Sequence, residues 1–223
     1  YNLQTSVSPD EEKVLYFARE KKGHEGVKGT VTEDFRGILV HDHEITFYRY
    51  GSAHQECLAH VERYLKDSME NESSLTWNRR MRELLQRMIH YRKEHTGEAS
   101  LDAQTVAGFE TEYQEILDKA KEEYKRNEPS PYYREGYNLY RRMQEYKTEH
   151  LLFLHDMRVP TTNNTAERCL RDYKRKQTFA MTFRSLESIE ELCHSKGVLL
   201  EVRKNNPNIY TAVMEIFNRR YGA

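Results

Sequence analysis

Two acidic residues and one basic stretch are where this sequence offers chemistry. Asp42 closes the apolar run Gly37-Ile38-Leu39-Val40-His41. Such a run suits a buried strand. An acid at the C-terminal end of a buried strand sits where α/β sheets place ligands and metals. The same pattern also suits a solvated strand end or a turn. Glu167 ends Asn164-Thr165-Ala166-Glu167, a capping-box spacing in which the acid only satisfies a helix N-terminus. The other reading pairs it with Asp42 on divalent cations. Two-metal phosphoryl chemistry needs hard carboxylate oxygens converging on cations about 4 Å apart. The two acids are distant in sequence, so only the fold can bring them together.

Between positions 161 and 184 stand six basic residues, Arg168, Arg171, Lys174, Arg175, Lys176 and Arg184, against two acids, Glu167 and Asp172. The whole chain has a net charge of −1, so any nucleic-acid partner must be met by a local patch of this kind. Arg171, Lys174, Arg175 and Thr178 share one face of a helix. That face suits a phosphate backbone and equally an ordinary solvated surface. Cys57-Leu58-Ala59-His60 supplies two soft ligands, whereas structural zinc needs four; no second pair follows, and zinc is not expected. The sequence contains no phosphate-cradling Gly-rich loop and no nucleophile elbow.

The elements that must position these residues fall into three segments. Residues 1–72 read as α/β. Leu3, Thr5 and Val7 alternate, Ser8-Pro9-Asp10 turns, and Val14-Leu15-Tyr16-Phe17-Ala18 returns as the second strand of a hairpin. A short helix is predicted over 23–31 and a strand over 37–42. Residues 54–60 read as a strand before a helix over 61–71, or the whole of 54–71 as one helix. Residues 73–156 form an all-helical insertion of roughly three helices, marked by Trp77, Met81, Leu84, Leu85 and Met88, then Phe109, Tyr113, Ile116, Leu117, Ala120 and Tyr124, then Tyr140, Met143, Leu151 and Leu154. Breaks are expected at Thr96-Gly97 and Pro129-Ser130-Pro131. Tyr132, Tyr133, Tyr137, Tyr140 and Tyr146 can stack on bases, although aromatics at helical spacing are more often core. Residues 157–223 carry helices near 164–176, 186–203 and 207–220, the last opened by Asn206-Pro207.

The 223 residues, 37% hydrophobic and 32% charged, suffice for a real core in a helix-rich α/β (α+β) chain. No segment approaches the roughly 18–20 apolar residues of a membrane span, so no membrane partner is expected. The odd, sparse set Cys57, Cys169 and Cys193 argues for a reducing cytoplasm. The chain opens on Tyr1 within a polar stretch, without a visible signal peptide, and is expected to be a piece cut from something longer.

Taken together, these residues resemble a family. Val159-Pro160-Thr161-Thr162-Asn163-Asn164-Thr165-Ala166-Glu167-Arg168-Cys169-Leu170-Arg171 resembles the V-P-x-x-N-N-x-x-E-R-x-x-R signature of bacterial transposases of the insertion sequence 66 family. Lys174-Arg175-Lys176-Gln177 and Thr182-Phe183-Arg184-Ser185 resemble that family's basic run and F-R-S segment. Residues 37–42 resemble the strand that carries its second catalytic Asp. Cys57-Leu58-Ala59-His60 with Arg63 resembles its C-x-A-H-x-x-R element.

The resemblance implies a ribonuclease-H-like mixed sheet, here partial, interrupted by the helical insertion. It also implies a DDE triad binding two Mg²⁺ (or Mn²⁺) ions for cleavage and strand transfer of DNA. One ion would help activate water or a 3′-hydroxyl, and the other would stabilise the leaving oxygen. Asp42 and Glu167 match the second and third acids. The first acid and the family's N-terminal DNA-binding region are expected to lie outside the chain, with neither Asp10 nor Asp34 a substitute, and the chain alone is expected to be inactive. Asn163 and Asn164 are expected to shape the turn that aims Glu167. Arg168, Arg171, Lys174, Arg175, Lys176 and Arg184 are expected to contact phosphates, and Cys57, His60 and Arg63 to lie near the site without an assigned step. The expected partners are transposon-end and target DNA, with a homo-oligomer also in view. The expected location is the bacterial cytoplasm, at the nucleoid. Another metal-dependent nuclease of the same fold, or a non-catalytic helical DNA-binding module, are the competing readings.

Overall fold

The computed structural model describes residues 2–8, 10, 13–179, 185–206 and 208–221. In chain order these form β1 (Asn2–Val7), β2 (Val14–Arg19), α1 (Gly23–Val27), α2 (Val31–Asp34), β3 (Ile38–His41), a 3-10 turn (Ile45–Arg49), β4 (Ala53–Glu56), α3 (Leu58–Asn71), α4 (Trp77–Glu94), α5 (Ala103–Arg126), α6 (Glu135–Glu145), α7 (Lys147–His155), α8 (Asn164–Phe179), α9 (Leu186–Asn205) and α10 (Ile209–Tyr221). The protein is α+β and helix-rich. Its strands pair as two two-stranded sheets, β1 with β2 and β3 with β4. No described helix is long and apolar enough to cross a membrane. The chain divides into two compact units, residues 1–35 with 164–223 and residues 36–163.

In the first unit the predicted hairpin forms, with β1 antiparallel to β2 and Thr5 opposite Tyr16. Alternation along β2 turns Tyr16 and Ala18 inward. They join Tyr173, Ile189 and Cys193 in a small core, with Cys169 and Leu170 packed against it. The Tyr16 and Tyr173 rings lie 4.9 Å apart, and the Lys196 ammonium stands 5.0 Å from the Tyr173 ring centroid. The Tyr16 hydroxyl donates to the Cys169 carbonyl and the Tyr173 hydroxyl to that of Leu192. These contacts join the hairpin, α8 and α9. The last helix starts differently from the sequence expectation. Asn206 terminates α9, and Asn208 caps α10, accepting from the amides of Tyr210 and Thr211 at 3.0 and 3.3 Å. Pro207, the expected first helical residue, lies outside the described residues. A two-residue shift between asparagines flanking Pro207 is beyond what a composition signal resolves.

The second unit joins one parallel strand pair to five helices. β3 and β4 pair with Ile38 opposite Ala53 and His41 opposite Glu56. The chain crosses between them through the 3-10 turn and Gly51, at φ +73°, where a Cβ would meet the Gly37 carbonyl at 2.8 Å. Only glycine tolerates both the backbone angle and the approach. The apolar periodicity of 58–154 closes one core. Leu58, Val61 and Leu65 of α3, Trp77 to Met88 of α4, Tyr113 to Tyr124 of α5, Leu139 to Met143 of α6 and Leu151 to Leu154 of α7 bury together, and Ile38 and Val40 of β3 pack against them. Tyr137 and Tyr140 belong to this aromatic packing, 5.8 Å apart, with Tyr140 also 6.0 Å from Trp77. Tyr132 is 97% exposed.

Residues 73–156 hold four helices, α4 to α7, rather than roughly three. The expected third helix is broken at Tyr146, where φ is −110° and ψ 35°. Neither Gly nor Pro marks the break. The Tyr146 ring instead packs 4.6 Å from Tyr48 and 5.1 Å from His43. The new direction brings α7 onto β4, where the buried Gln55 side chain accepts from the Phe153 amide at 2.8 Å and donates to the His150 carbonyl. Trp77, the chain's one tryptophan, is fully buried in this unit and reports its unfolding. We expect Leu84→Ala, at a fully buried position, to lower the stability of this unit by about 2–5 kcal/mol, read from Trp77 fluorescence in a denaturant titration. A shift well under 1 kcal/mol would mean the site collapses around the smaller side chain.

Candidate functional site

Asp42 follows β3 directly, with its side chain exposed. Its backbone is held from both sides. The Asp42 carbonyl accepts from the Glu44 amide at 2.7 Å and faces the His41 ring nitrogen Nδ1 at 2.5 Å. Its carboxylate has no hydrogen bond or ion pair among the described residues. Burial pushes the His41 imidazole below its ordinary range, against the opposing pull of its bond to the Asp42 backbone and the charges of Glu56 and Asp42.

Two motifs distant in sequence meet in this same unit. Cys57 sits in the turn between β4 and α3, and its amide donates to the His41 carbonyl at 2.8 Å. The Leu58 amide donates to the Thr161 carbonyl at 2.9 Å, and the Asn163 amide donates to the Cys57 sulfur at 3.4 Å. The Thr-Thr-Asn segment therefore lies on the start of α3, and Cys57 links it to the last residue of β3, directly before Asp42. His60 is half-buried in the first turn of α3, 6.5 Å from the Tyr64 ring. Arg63 is exposed one turn on.

The other expected residues belong to the first unit. Asn164 opens α8 and Glu167 lies in its first turn, half-buried. Asp42 and Glu167 are thus carried by different units. Along α8, Cys169, Leu170 and Tyr173 turn to the core, while Arg168, Arg171, Lys174, Arg175 and Thr178 are exposed. Arg171, Lys174, Arg175 and Thr178 line one shallow surface depression. Among the described residues no acid pairs with Arg171, Lys174 or Arg175. Lys176 lies within the α8 span, and Arg184 lies outside the described residues. No group of three or more His, Cys, Asp and Glu forms a metal cluster among the described residues.

The structure adds a residue that sequence reasoning missed. Glu56, at the end of β4 and in register with His41, has a side chain only 1% exposed. One carboxylate oxygen accepts from His43 Nδ1 at 2.7 Å and from the Tyr48 hydroxyl. The other faces His150 Nε2 at 3.2 Å and Arg142 Nε at 3.3 Å. Tyr113, fully buried, holds the far side of His150, with its hydroxyl 2.9 Å from Nδ1. Burial pushes the Glu56 carboxyl up, but the close approach of His150, the hydrogen bond from His43 and the charge of Arg142 outweigh it, holding the group well below the usual carboxylate range. Burial also pushes the Tyr48 hydroxyl far up, reinforced by its bond to Glu56. The local signal was thin. A glutamate directly before Cys57-x-x-His60 was readable, but all four of its contacts, His43, Tyr48, Arg142 and His150, come from outside its strand.

Breaking a buried ion pair by removing one partner costs about 3–5 kcal/mol. A depressed carboxylate contributes its stability in full above the ordinary value of 4.5 and loses it as the pH falls through the depressed one. The stability advantage of the unaltered chain over Glu56→Gln should therefore be largest near neutrality and shrink steadily below about pH 4.5. Trp77 fluorescence in denaturant titrations at several pH values checks this. An advantage independent of pH would show that the carboxylate charge plays no part.

The family model described as "Transposase IS66 family" matches residues 3–191. That span includes Asp42, the Cys57–Arg63 element and the Asn163–Arg171 block. No curated protein matches the chain, and no solved structure does. With the match running through both compact units and all the motifs just placed, the chain belongs to the IS66 family of transposases.

Proposed function

We propose that this chain carries the second and third acids of a DDE transposase, Asp42 and Glu167, on a ribonuclease-H-like core interrupted by the helices of residues 73–156. A transposition-related function follows from the family. The finer reading is metal-dependent phosphoryl transfer for DNA cleavage and strand transfer. The observation that carries it is the exposed Asp42 carboxylate at the C-terminal end of a parallel strand, within the span of the family match. Both its oxygens are open to a hard cation, the donor type that Mg²⁺ and Mn²⁺ prefer. Glu167 supplies the second such carboxylate. Two ions, when bound, would stabilise charge on the attacking and leaving oxygens of an in-line displacement. Further donors are needed beside these two residues.

The chain's own residues supply the rest of the reading. Arg171, Lys174 and Arg175 present an exposed cationic face suited to hold a phosphate backbone. Arginine does this with two parallel N–H groups, and lysine as a point charge. Arg168 extends the face toward Glu167, so that DNA held there is presented to the acid one residue away. Asn163 and Asn164 set the entry of the chain into α8.

Two measurements test this. Mn²⁺ binding followed by electron paramagnetic resonance should be lost on Asp42→Asn and weakened on Glu167→Gln. Equal binding by all three chains would remove the acids from metal duty and favour a DNA-binding module without catalysis. Charge reversal at Arg171 or Lys174 should weaken DNA binding and lower the slope of log affinity against log salt by about 1 for each phosphate no longer neutralised. Unchanged affinity across a salt titration would take these residues out of the DNA footprint.

A further inference from the structure

We propose that Glu56 is the positioning residue of the site: through His43 and Tyr48 it fixes the segment that carries Asp42, and through Arg142 and His150 it ties that segment to α6 and α7. The proposal rests on Asp42 as a cation-holding residue.

The argument starts from what aims Asp42. Its carboxylate has no side-chain partner among the described residues, so its direction is set by the backbone around it. That backbone converges on Glu56. His41, the residue before Asp42, lies opposite Glu56 in the strand pair. His43, the residue after, binds the Glu56 carboxylate at 2.7 Å. Tyr48, on the 3-10 turn that follows, binds the same oxygen. The loop from 42 to 48 is therefore held at both ends by one buried group.

Stability alone is a poor reason for such a group. A buried ion pair replaced by apolar side chains of like volume is often no less stable. What a buried carboxylate does that an apolar residue cannot is hold several donors in one fixed geometry. Here the hydrogen-bond donors come from the Asp42 loop, and Arg142 and His150 on two helices of the same unit make ion-pair contacts to the other oxygen. Arg142 on α6 also lies 5.0 Å from the Tyr64 ring of α3, and His150 on α7 is buried with Tyr113 of α5 behind it. The insertion thus bears on the aim of Asp42 through one carboxylate.

Mn²⁺ affinity of the whole chain, measured by electron paramagnetic resonance well below the melting temperature, tests this. Fe²⁺-directed backbone cleavage locates the ion. Variants Glu56→Gln and Tyr48→Phe leave Asp42 in place. Tyr48→Phe removes one hydroxyl and keeps the ring beside Tyr146 and His54, so it guards against a Glu56→Gln chain that fails to fold. Leu84→Ala, which destabilises the same unit away from the loop, is the control for a merely structural effect. We expect both loop variants to bind Mn²⁺ about 10–100-fold more weakly, as outer-shell changes do, with cleavage beside residue 42 diminished and Leu84→Ala unchanged in affinity. If the two variants bind as the unaltered chain does while Asp42→Asn does not, the positioning role is wrong and the Asp42 assignment stands. If Leu84→Ala weakens binding equally, the effect is general destabilisation and the role is again wrong. If the unaltered chain binds no Mn²⁺, or Asp42→Asn binds it equally, the Asp42 assignment fails and the positioning role falls with it.

Discussion

A carboxylate sealed inside a helical core persists as an anion only where donors replace the water it has lost. Glu56 answers that requirement with hydrogen bonds from His43 and Tyr48 and with ion-pair contacts to His150 and Arg142. β4 must end at that residue, α6 must present Arg142 and α7 must present His150. After the break at Tyr146, α7 lies on β4 and the Tyr146 ring packs against Tyr48 and His43.

The helices of residues 76–156 and the strands β3 and β4 consequently share one core. Ile38 and Val40 pack against the apolar faces of the helices. Gln55 and Glu56, neighbours on β4, both answer to the helices, one through backbone groups of α7 and the other through charged side chains. The helices stand between the motifs along the chain, yet they pack against the strand that precedes Asp42.

In the first unit the organising contrast is the two faces of α8. Cys169, Leu170 and Tyr173 meet the hairpin and α9, which leaves Arg168, Arg171, Lys174 and Arg175 in solvent. Removing an apolar stripe from water forces the remaining residues outward, so the cationic face arises from the same periodicity that builds the core. Charges placed this way keep their hydration until a phosphate backbone displaces counterions from its own surface. Such a face adds little to folding and is available for binding.

How much was legible in the sequence follows from the range of each force. The hairpin, the strand ending at Asp42, the helical segments and the basic face of α8 were all written in periodicities of two or 3.6 residues and in turn residues such as Gly97, because these depend on neighbours a few positions away. The motif block at 159–171 likewise carried the family without any coordinates. Two-stranded pairing of β3 with β4, the bend at Tyr146 and the meeting of Cys57 with Asn163 were not legible, since each is set by packing between segments distant in the chain. Glu56 shows the limit most clearly. By type and position it reads as one more polar residue at a strand end. Only the tertiary structure decides that it is buried and which side chains surround it, because the cost of removing a charge from water is met by partners whose identity no local pattern records.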